Sequence, residues 1–225
     1  MTTSPGRSPR KPRPPELNDD DYVYIVSTTV GGGSVYKEYR PDHRKCGLVV
    51  TRLKRGETLT PEEMADFPRE LIFDRPKSGG APEIMSWSTG PHIVCPQFRD
   101  WLEELEPGRH VFHPIHVQST RPIKGVSDHG TYYLIVRPPV IDAIIPEGTV
   151  FRRGRTGPGA IGPDGRFHIS ASEDTACYIR REPVEGHHFW YLKGGAEFMF
   201  SPELLRRYRA HKFRGLDVIK KCILK

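Results

Sequence analysis

The sequence of 225 residues lacks closely spaced cysteines and long apolar runs. Its four cysteines are far apart and form no CxxC pair, which argues against a zinc ribbon or a dense disulfide framework: Cys46, Cys95, Cys177 and Cys222. No apolar run approaches the roughly 20 residues that a membrane-spanning helix needs. The N-terminus has proline and arginine where a secretion signal needs an apolar stretch. We therefore expect a cytoplasmic protein with reduced thiols and no membrane contact.

The sequence also lacks the common motifs of nucleotide, metal and hydrolase sites. No GKS or GKT follows the glycine cluster at 31–33, and neither HExxH nor GxSxG occurs. His110, His113 and His116 recur at every third position, which would suit metal ligation on a helix. Pro114 opposes that helix, and on a strand His113 would face away from the other two histidines. We expect no metal and no cofactor.

Two weak patterns keep an enzyme open as an alternative. Cys95 precedes Pro96 at a predicted helix start, where the helix dipole could lower the thiol pKa, although a structural capping role explains the position as well. Arg153, the stretch FHISAS and a later Glu173 or Glu197 follow the order seen in ADP-ribosyltransferases, without the usual Glu-x-Glu or Gln-x-Glu pair. We assign no catalytic residue and expect the protein not to be an enzyme.

What the sequence does contain is a capped helix near its C-terminus. Ser201 can accept a hydrogen bond from the first helical turn, and Pro202 suits the next position because its missing N–H has no partner there. Leucines 204 and 205 and Tyr208 then recur at helical spacing. The pattern predicts a helix over about 202–212, with Gly215 as its stop and a strand after it.

The same pattern occurs about a hundred residues earlier. Cys95 and Pro96 take the places of the serine and proline, and Trp101 belongs to an apolar stripe that predicts a helix over about 96–106. A return strand follows at 111–117. The echo suggests a duplicated strand–helix–strand unit, although short patterns also recur by chance. We expect both units to pack on one sheet and to hold the core.

The remaining pattern is one of short strand candidates, which together with two helices indicates an α+β fold with mostly antiparallel strands. Residues 1–21 are rich in proline and arginine and predict a disordered tail. Residues 22–84 form a β-rich part, and 85–225 the main body. We expect these last two parts to be one continuous globular unit.

The charge is concentrated at the C-terminus. The formal net charge is +6, and residues 201–225 alone carry eight lysines or arginines against two acids. A basic surface can attract an acidic protein or nucleic acid, or it can simply be solvated. A second basic stretch, at 152–166, is rich in glycine and predicts a mobile loop. The predicted partner contacts are these exposed cations: Arg152, Arg153, Arg155, Arg206, Arg207, Arg209, Lys212 and Arg214.

Over residues 85–222 the order of these patterns resembles a known family. Trp87 precedes the helix CPQFRDWLEEL, and then come the strand FHPIHV, the strand YYLIV, the segment VIDAI, the aromatic strand HHFWYL and the helix SPELLRRYRAHKFRGLDVI. This order is similar to the myxobacterial type of immunity protein family eleven, from bacterial polymorphic toxin systems. Cys95 stands where serine is usual, and the basic loop at 152–166 is a further departure.

The resemblance implies binding and not catalysis. A member of this family would neutralise a cognate protein toxin, encoded nearby, by direct contact that occludes it. The family has no agreed catalytic residues to transfer. The alternatives are a basic nucleic-acid-binding or regulatory protein, which fits the basic C-terminus, and the ADP-ribosyltransferase-like enzyme.

Overall fold

The computed structural model describes residues 18–28, 37–38, 52, 57–65, 69–73, 81–86, 92–172, 174–195 and 198–225. Within these ranges the chain forms two six-stranded sheets and three α-helices. The predicted α+β class is therefore confirmed. The glycine cluster at 31–33 and Trp87 lie outside the described residues.

The two long helices begin at the predicted prolines. The three helices are α1, Pro61–Ala65; α2, Pro96–Leu105; and α3, Pro202–Ala210. Cys95 and Ser201 occupy the N-cap positions with nearly the same torsions, φ −67° and ψ 163° against φ −68° and ψ 162°. The extended backbone of each cap and the proline after it set the helix start in both places.

Sheet A has the strand order β8-β10-β11-β1-β12-β9. Its strands are β1, Tyr22–Thr28; β8, Val140–Ile141; β9, Tyr178–Ile179; β10, Phe189–Leu192; β11, Phe198–Phe200; and β12, Leu216–Leu224. The two edge strands run parallel to their neighbours, β8 to β10 and β9 to β12, and the central pairings are antiparallel.

Sheet B has the strand order β2-β3-β6-β7-β5-β4. Its strands are β2, Lys37–Glu38; β3, Glu70–Phe73; β4, Ile84–Ser86; β5, His92–Val94; β6, Val111–Ile123; and β7, Val126–Arg137. The long β6–β7 hairpin turns at Lys124 and Gly125, both with positive φ. The pairing of β3 with β6 is parallel, and the other described pairings in this sheet are antiparallel.

The two strand–helix–strand units lie in different sheets, so the expectation that they share one sheet is wrong. Their topology is nevertheless the same. In sheet A, β11 and β12 are both antiparallel to β1, which lies between them. In sheet B, β5 and β6 are related to the intervening β7 in the same way. The inserted strand has a different origin in each sheet, because β7 follows β6 in a hairpin, whereas β1 comes from near the start of the described chain. Local sequence patterns cannot reveal an insertion of the second kind.

The match extends to the flanking strands. An antiparallel strand lies outside the first strand of each unit, β10 beside β11 and β4 beside β5. A parallel strand lies outside the second, β9 beside β12 and β3 beside β6. Five strand positions are thus equivalent in the two sheets, which gives the sequence echo a three-dimensional counterpart.

The core divides along the two faces of sheet A, because successive strand side chains point to opposite faces. The first core joins both long helices to sheet B and to one face of sheet A, with residues such as Phe98, Leu134 and Leu204. The second core lies on the other face, where Phe151 and Phe167 pack with residues such as Trp190.

Gly215 does not stop the second long helix: α3 ends at Ala210, and Lys212 takes the left-handed conformation after it, with φ 54°. Gly215 instead opens β12, where its backbone approaches the Ile84 carbonyl of β4. At the other end, the predicted tail overlaps the described residues only at 18–21, where Asp19–Asp21 form a 3-10 turn that leads into β1.

Candidate functional site

The sequence patterns missed a buried acid–histidine cluster at the end of α2. Glu106 is 1% exposed, and His110 is 5% exposed. One carboxylate oxygen lies 2.8 Å from His110 Nε2 and accepts the backbone N–H of Phe189 at 3.0 Å. The other lies 3.0 Å from His187 Nδ1. Burial alone would raise the pKa of Glu106, but its hydrogen bonds and the charge of His110 outweigh burial and lower it.

This cluster fastens the end of α2 to β10 and is not an open catalytic site. Both oxygens of Glu106 already accept hydrogen bonds from the chain, and its side chain is enclosed. A general acid or base must reach a substrate proton, which these contacts prevent. Across the described ranges no group of three or more acids, histidines or cysteines could hold a metal ion.

A cavity of about 300 Å³ beside sheet A is also without a catalytic set. Its lining is mainly apolar, with Ile25, Ile169 and Phe198, and includes Lys220. The Lys220 ammonium group donates to the Ser172 carbonyl and to Thr175 Oγ1. Within the described residues, the lining includes no acid or histidine. Glu173 and Glu197, the acids of the ADP-ribosyltransferase alternative, lie outside the described residues.

The two cap residues behave differently although their backbones match. Ser201 Oγ accepts the backbone N–H of Leu204 at 3.1 Å and lies 2.8 Å from His188 Nδ1. Cys95 makes no side-chain capping bond, so the predicted cap role is fulfilled by its backbone only. Burial raises the pKa of the Cys95 thiol, which outweighs the effect of the neighbouring helix amides. The alternative of a thiol activated by the helix is therefore wrong.

The predicted contact cations Arg207 and Arg214 bond to distant segments of the chain. Arg207 reaches Glu104 of α2 with both terminal nitrogens, at 2.9 and 3.0 Å, and Glu203 with Nε at 3.0 Å. Arg214 donates to the Ala81 carbonyl at 3.1 Å and lies 3.5 Å from Glu83. These contacts join α3 and the segment after it to the elements of sheet B.

The other predicted cations near α3 are exposed. Arg206, Arg209 and Lys212 all point to solvent, and Arg206 lies 3.1 Å from Glu203. The structure adds two cations that the prediction missed, Arg181 after β9 and Lys221 on β12. We call Arg181, Arg206, Arg209 and Lys221 the basic face.

Two tyrosines of β1 lie among these cations. The Lys221 ammonium group sits 3.4 Å from the centre of the Tyr22 ring. Tyr24 pairs with Lys221 across the strands. Burial raises the pKa of Tyr24, the charge of Asp19 raises it further, and the charges of Arg209 and Arg206 lower it. Basic and aromatic side chains therefore share one surface, which no single stretch of sequence displays.

The basic loop at 152–166 lies on the other side of sheet A. Arg152, Arg153 and Arg155 are exposed, but Phe151 beside them is buried in the second core, whereas α3 packs in the first core. Backbone hydrogen bonds hold this loop at both ends, from Arg152 to His168 and from Phe167 to Gly194. The structure therefore does not bring the two predicted groups of arginines together.

Comparison with protein-family models decides the family. The model of the immunity protein family Imm11 matches residues 22–221, most of the chain. The chain belongs to the immunity protein family Imm11. The predicted resemblance is thus confirmed, and the match begins at β1, well before the residue 85 at which the predicted resemblance starts. The comparison with curated proteins found no match.

Membership of an immunity family implies in general that this Imm11 protein has a toxin as its partner. The matched span, 22–221, includes both sheets except the last three residues of β12, both long helices and every cation of the basic face. In the described part of this Imm11 chain, no helix combines the length and apolar character needed to cross a membrane.

Proposed function

We propose that this Imm11 protein acts in the cytoplasm, where it binds a cognate toxin directly and blocks it by occlusion. The observation that carries the proposal is the family match over 22–221. The absence of an open acid–base set around the enclosed Glu106 supports a function in binding and not in catalysis.

A prebuilt surface is what occlusion needs, because ordering mobile segments on binding weakens a complex. The two long helices are joined by Arg207 and Glu104, and ring stacking joins α2 to the segment after α3. The Trp101 ring of α2 lies 4.6 Å from that of Phe213, with an angle of 19° between the rings. These contacts support a rigid α3 and therefore a fixed position for Arg206 and Arg209.

The basic face is the contact surface that we propose. Its four cations and the partly exposed Tyr22 combine charge with aromatic area, and both arginine and tyrosine are enriched where proteins bind proteins. A complementary toxin surface would be acidic, because opposite potentials speed association and reject wrong partners. The predicted loop contacts at 152–155 would then lie outside this interface, because they occupy the other side of sheet A.

Co-purification with the product of the neighbouring toxin-like gene, followed by a growth-rescue assay, tests the proposal. The wild-type protein should capture the toxin and restore growth. Arg206→Glu with Arg209→Glu should weaken capture about tenfold or more, since both introduce repulsion at an acidic contact. Arg152→Glu with Arg153→Glu makes the same charge change on the far side and should leave capture intact. Loss of capture with the second pair alone would move the interface to the loop.

Nucleic acid is the second candidate for the same surface, because basic residues beside a partly exposed aromatic ring such as Tyr22 can also hold phosphates and bases. A salt titration distinguishes nucleic-acid binding from toxin binding. Phosphate contacts release counterions, so binding to DNA or RNA should fall steeply with salt. We expect the purified protein to show no salt-sensitive binding to DNA or RNA. We expect the toxin complex to persist at physiological salt.

A further inference from the structure

A short acidic turn of the chain itself rests on the basic face. Asp19–Asp21 form a 3-10 turn, and the Asn18 backbone N–H donates to Asp21 Oδ2 at 3.0 Å. Tyr22, the first residue of β1, follows the turn directly. The turn is therefore held in place by its own hydrogen bond and by the strand that it precedes.

Each of the three acids meets a cation from a different element. Asp21 lies 2.7 Å from Arg181, which also donates to the Asp20 carbonyl at 3.2 Å. The Asp20 carboxylate is 3.9 Å from Arg206 of α3. The Asp19 carboxylate is 3.9 Å from Lys221 of β12. A continuous acidic segment thus spans cations from α3, from β12 and from the segment after β9.

The contacts grow weaker from one end of the turn to the other. Arg181 holds Asp21 at hydrogen-bond distance, and the Asp21 side chain is 30% exposed. The side chains of Asp19 and Asp20 are 77% and 84% exposed and are close to their cations without a hydrogen bond. Exposed ion pairs of this kind contribute little to the free energy of folding. The Asp21 end would stay fixed while the other two acids could give way.

We propose that the basic face is a docking site for an acidic loop of the partner protein and that Asp19 and Asp20 occupy it in the free protein. The partner's carboxylates would replace these two acids on Arg206 and Lys221 and would also reach Arg209. The inference rests on the proposed function for the identity of the partner. It goes further in naming the chemistry of the contact and an internal competitor for it.

Asp19 and Asp20 change the electrostatic potential of the basic face in the free protein. Two acids beside Arg206 and Lys221 reduce the positive potential that an incoming acidic loop would meet, so they slow its association. They also leave the cations partly neutralised in the free protein, which reduces non-specific binding to other anions. Removing their charge should therefore strengthen binding of any acidic segment that fits the face.

A fluorescein-labelled oligoglutamate peptide is a probe that does not require the toxin. Its binding to the full chain is followed by fluorescence anisotropy at low and at physiological salt. Asp19→Asn with Asp20→Asn should bind the peptide about three- to tenfold more tightly than wild type, because two repelling charges are removed at the site. The gain should shrink as salt is added, since screening weakens exposed charges.

The matched control removes two acids elsewhere. Glu147 and Asp164 are both exposed and belong to the segment on the second-core side of sheet A. Glu147→Gln with Asp164→Asn gives the same net charge and should change peptide affinity less than about twofold. Adding Arg206→Glu and Arg209→Glu to the Asp19 and Asp20 variant should abolish the gain.

An equal gain in the control pair, or no gain in the Asp19 and Asp20 variant, would overturn the inference. So would a short oligonucleotide that binds the same variant more tightly than the peptide, because the face would then accept nucleic acid. Failure of the proposed function looks different. In that case the peptide results stand as expected, but no toxin co-purifies with the wild-type protein.

Discussion

Arg207 and Glu104 form a two-pronged ion pair that joins the two long helices. Arg207 Nη1 lies 2.9 Å from one carboxylate oxygen of Glu104, and Nη2 lies 3.0 Å from the other. The hydrogen bonds lower the pKa of Glu104 and raise that of Arg207. A cation predicted to contact a partner therefore fixes the orientation of α3, whose exposed side carries Arg206 and Arg209.

Replacing Arg207 by lysine should lower the free energy of unfolding slightly and measurably. Lysine keeps the charge but cannot make two parallel hydrogen bonds to a carboxylate. The loss should be small because Glu104 is largely exposed and water screens the pair. Urea unfolding followed by circular dichroism measures it. Arg209→Lys on the exposed side of the same helix is the control, and an equal effect of both would contradict the structural role of Arg207.

Replacing Glu106 by glutamine should be far more damaging. The substitution removes the carboxylate that bonds His110 and His187 and accepts the Phe189 N–H, and leaving buried polar groups without their partner costs roughly 1–3 kcal/mol. Glu147→Gln at an exposed position is the matched control and should cost almost nothing. Equal unfolding midpoints in urea for the two variants would contradict the clamp that we assign to Glu106.

The pH dependence of stability should change as well. The pKa of Glu106 is lowered in the folded protein from about 4.3 in the unfolded chain. Its stabilisation is therefore complete above the unfolded pKa and is lost as the pH falls through the lower folded pKa. Wild type should lose stability over that acidic range, and Glu106→Gln should show a flatter curve there. Parallel curves for the two proteins would contradict the pKa shift.

Gly215 should tolerate no side chain. Its φ of +105° is unfavourable for other residues, and an added Cβ would lie 1.8 Å from the Ile84 carbonyl oxygen. Gly215→Ala should therefore cost roughly 2–4 kcal/mol, because the backbone of β4 or β12 must move. Gly125→Ala is the control, since Gly125 also has a positive φ but has open space around it. Comparable costs for the two variants would contradict the close approach.

The cysteines should be slow to react in the folded protein. Cys95, Cys177 and Cys222 are all buried, and burial raises the pKa of the Cys95 thiol. A Cys46→Ser variant leaves these three as the remaining thiols. With Ellman's reagent, this variant should react only at the rate of unfolding and should react fully in denaturant. Rapid reaction of one thiol under native conditions would contradict the burial of that residue.

The features that could be predicted from sequence are those set by neighbouring residues. The starts of α2 and α3 follow from a cap residue and a proline, so both were placed correctly. The first unit is completed by β7, the hairpin partner of β6, whereas the second unit pairs with β1, a strand far away in sequence. The expectation of one shared sheet was wrong because local patterns carry no information about the pairing of the second unit with β1.

The candidate site shows the same limit. The exposed arginines of α3 follow from helical spacing, but their association with Arg181, Lys221 and the acidic turn depends on contacts between distant residues. Local sequence patterns do not indicate the role of Glu106, because its partners His187 and Phe189 lie more than 80 residues later. The four-residue interval between Glu106 and His110 was the one local hint of that cluster.

The most direct test of the central claim is a titration of toxin activity with this Imm11 protein. We predict that inhibition is complete at an equimolar ratio, that active toxin is recovered when denaturant separates the complex, and that its mass is unchanged. Inactivation of excess toxin by a small amount of the protein, or a change in toxin mass, would instead show catalysis and contradict neutralisation by binding.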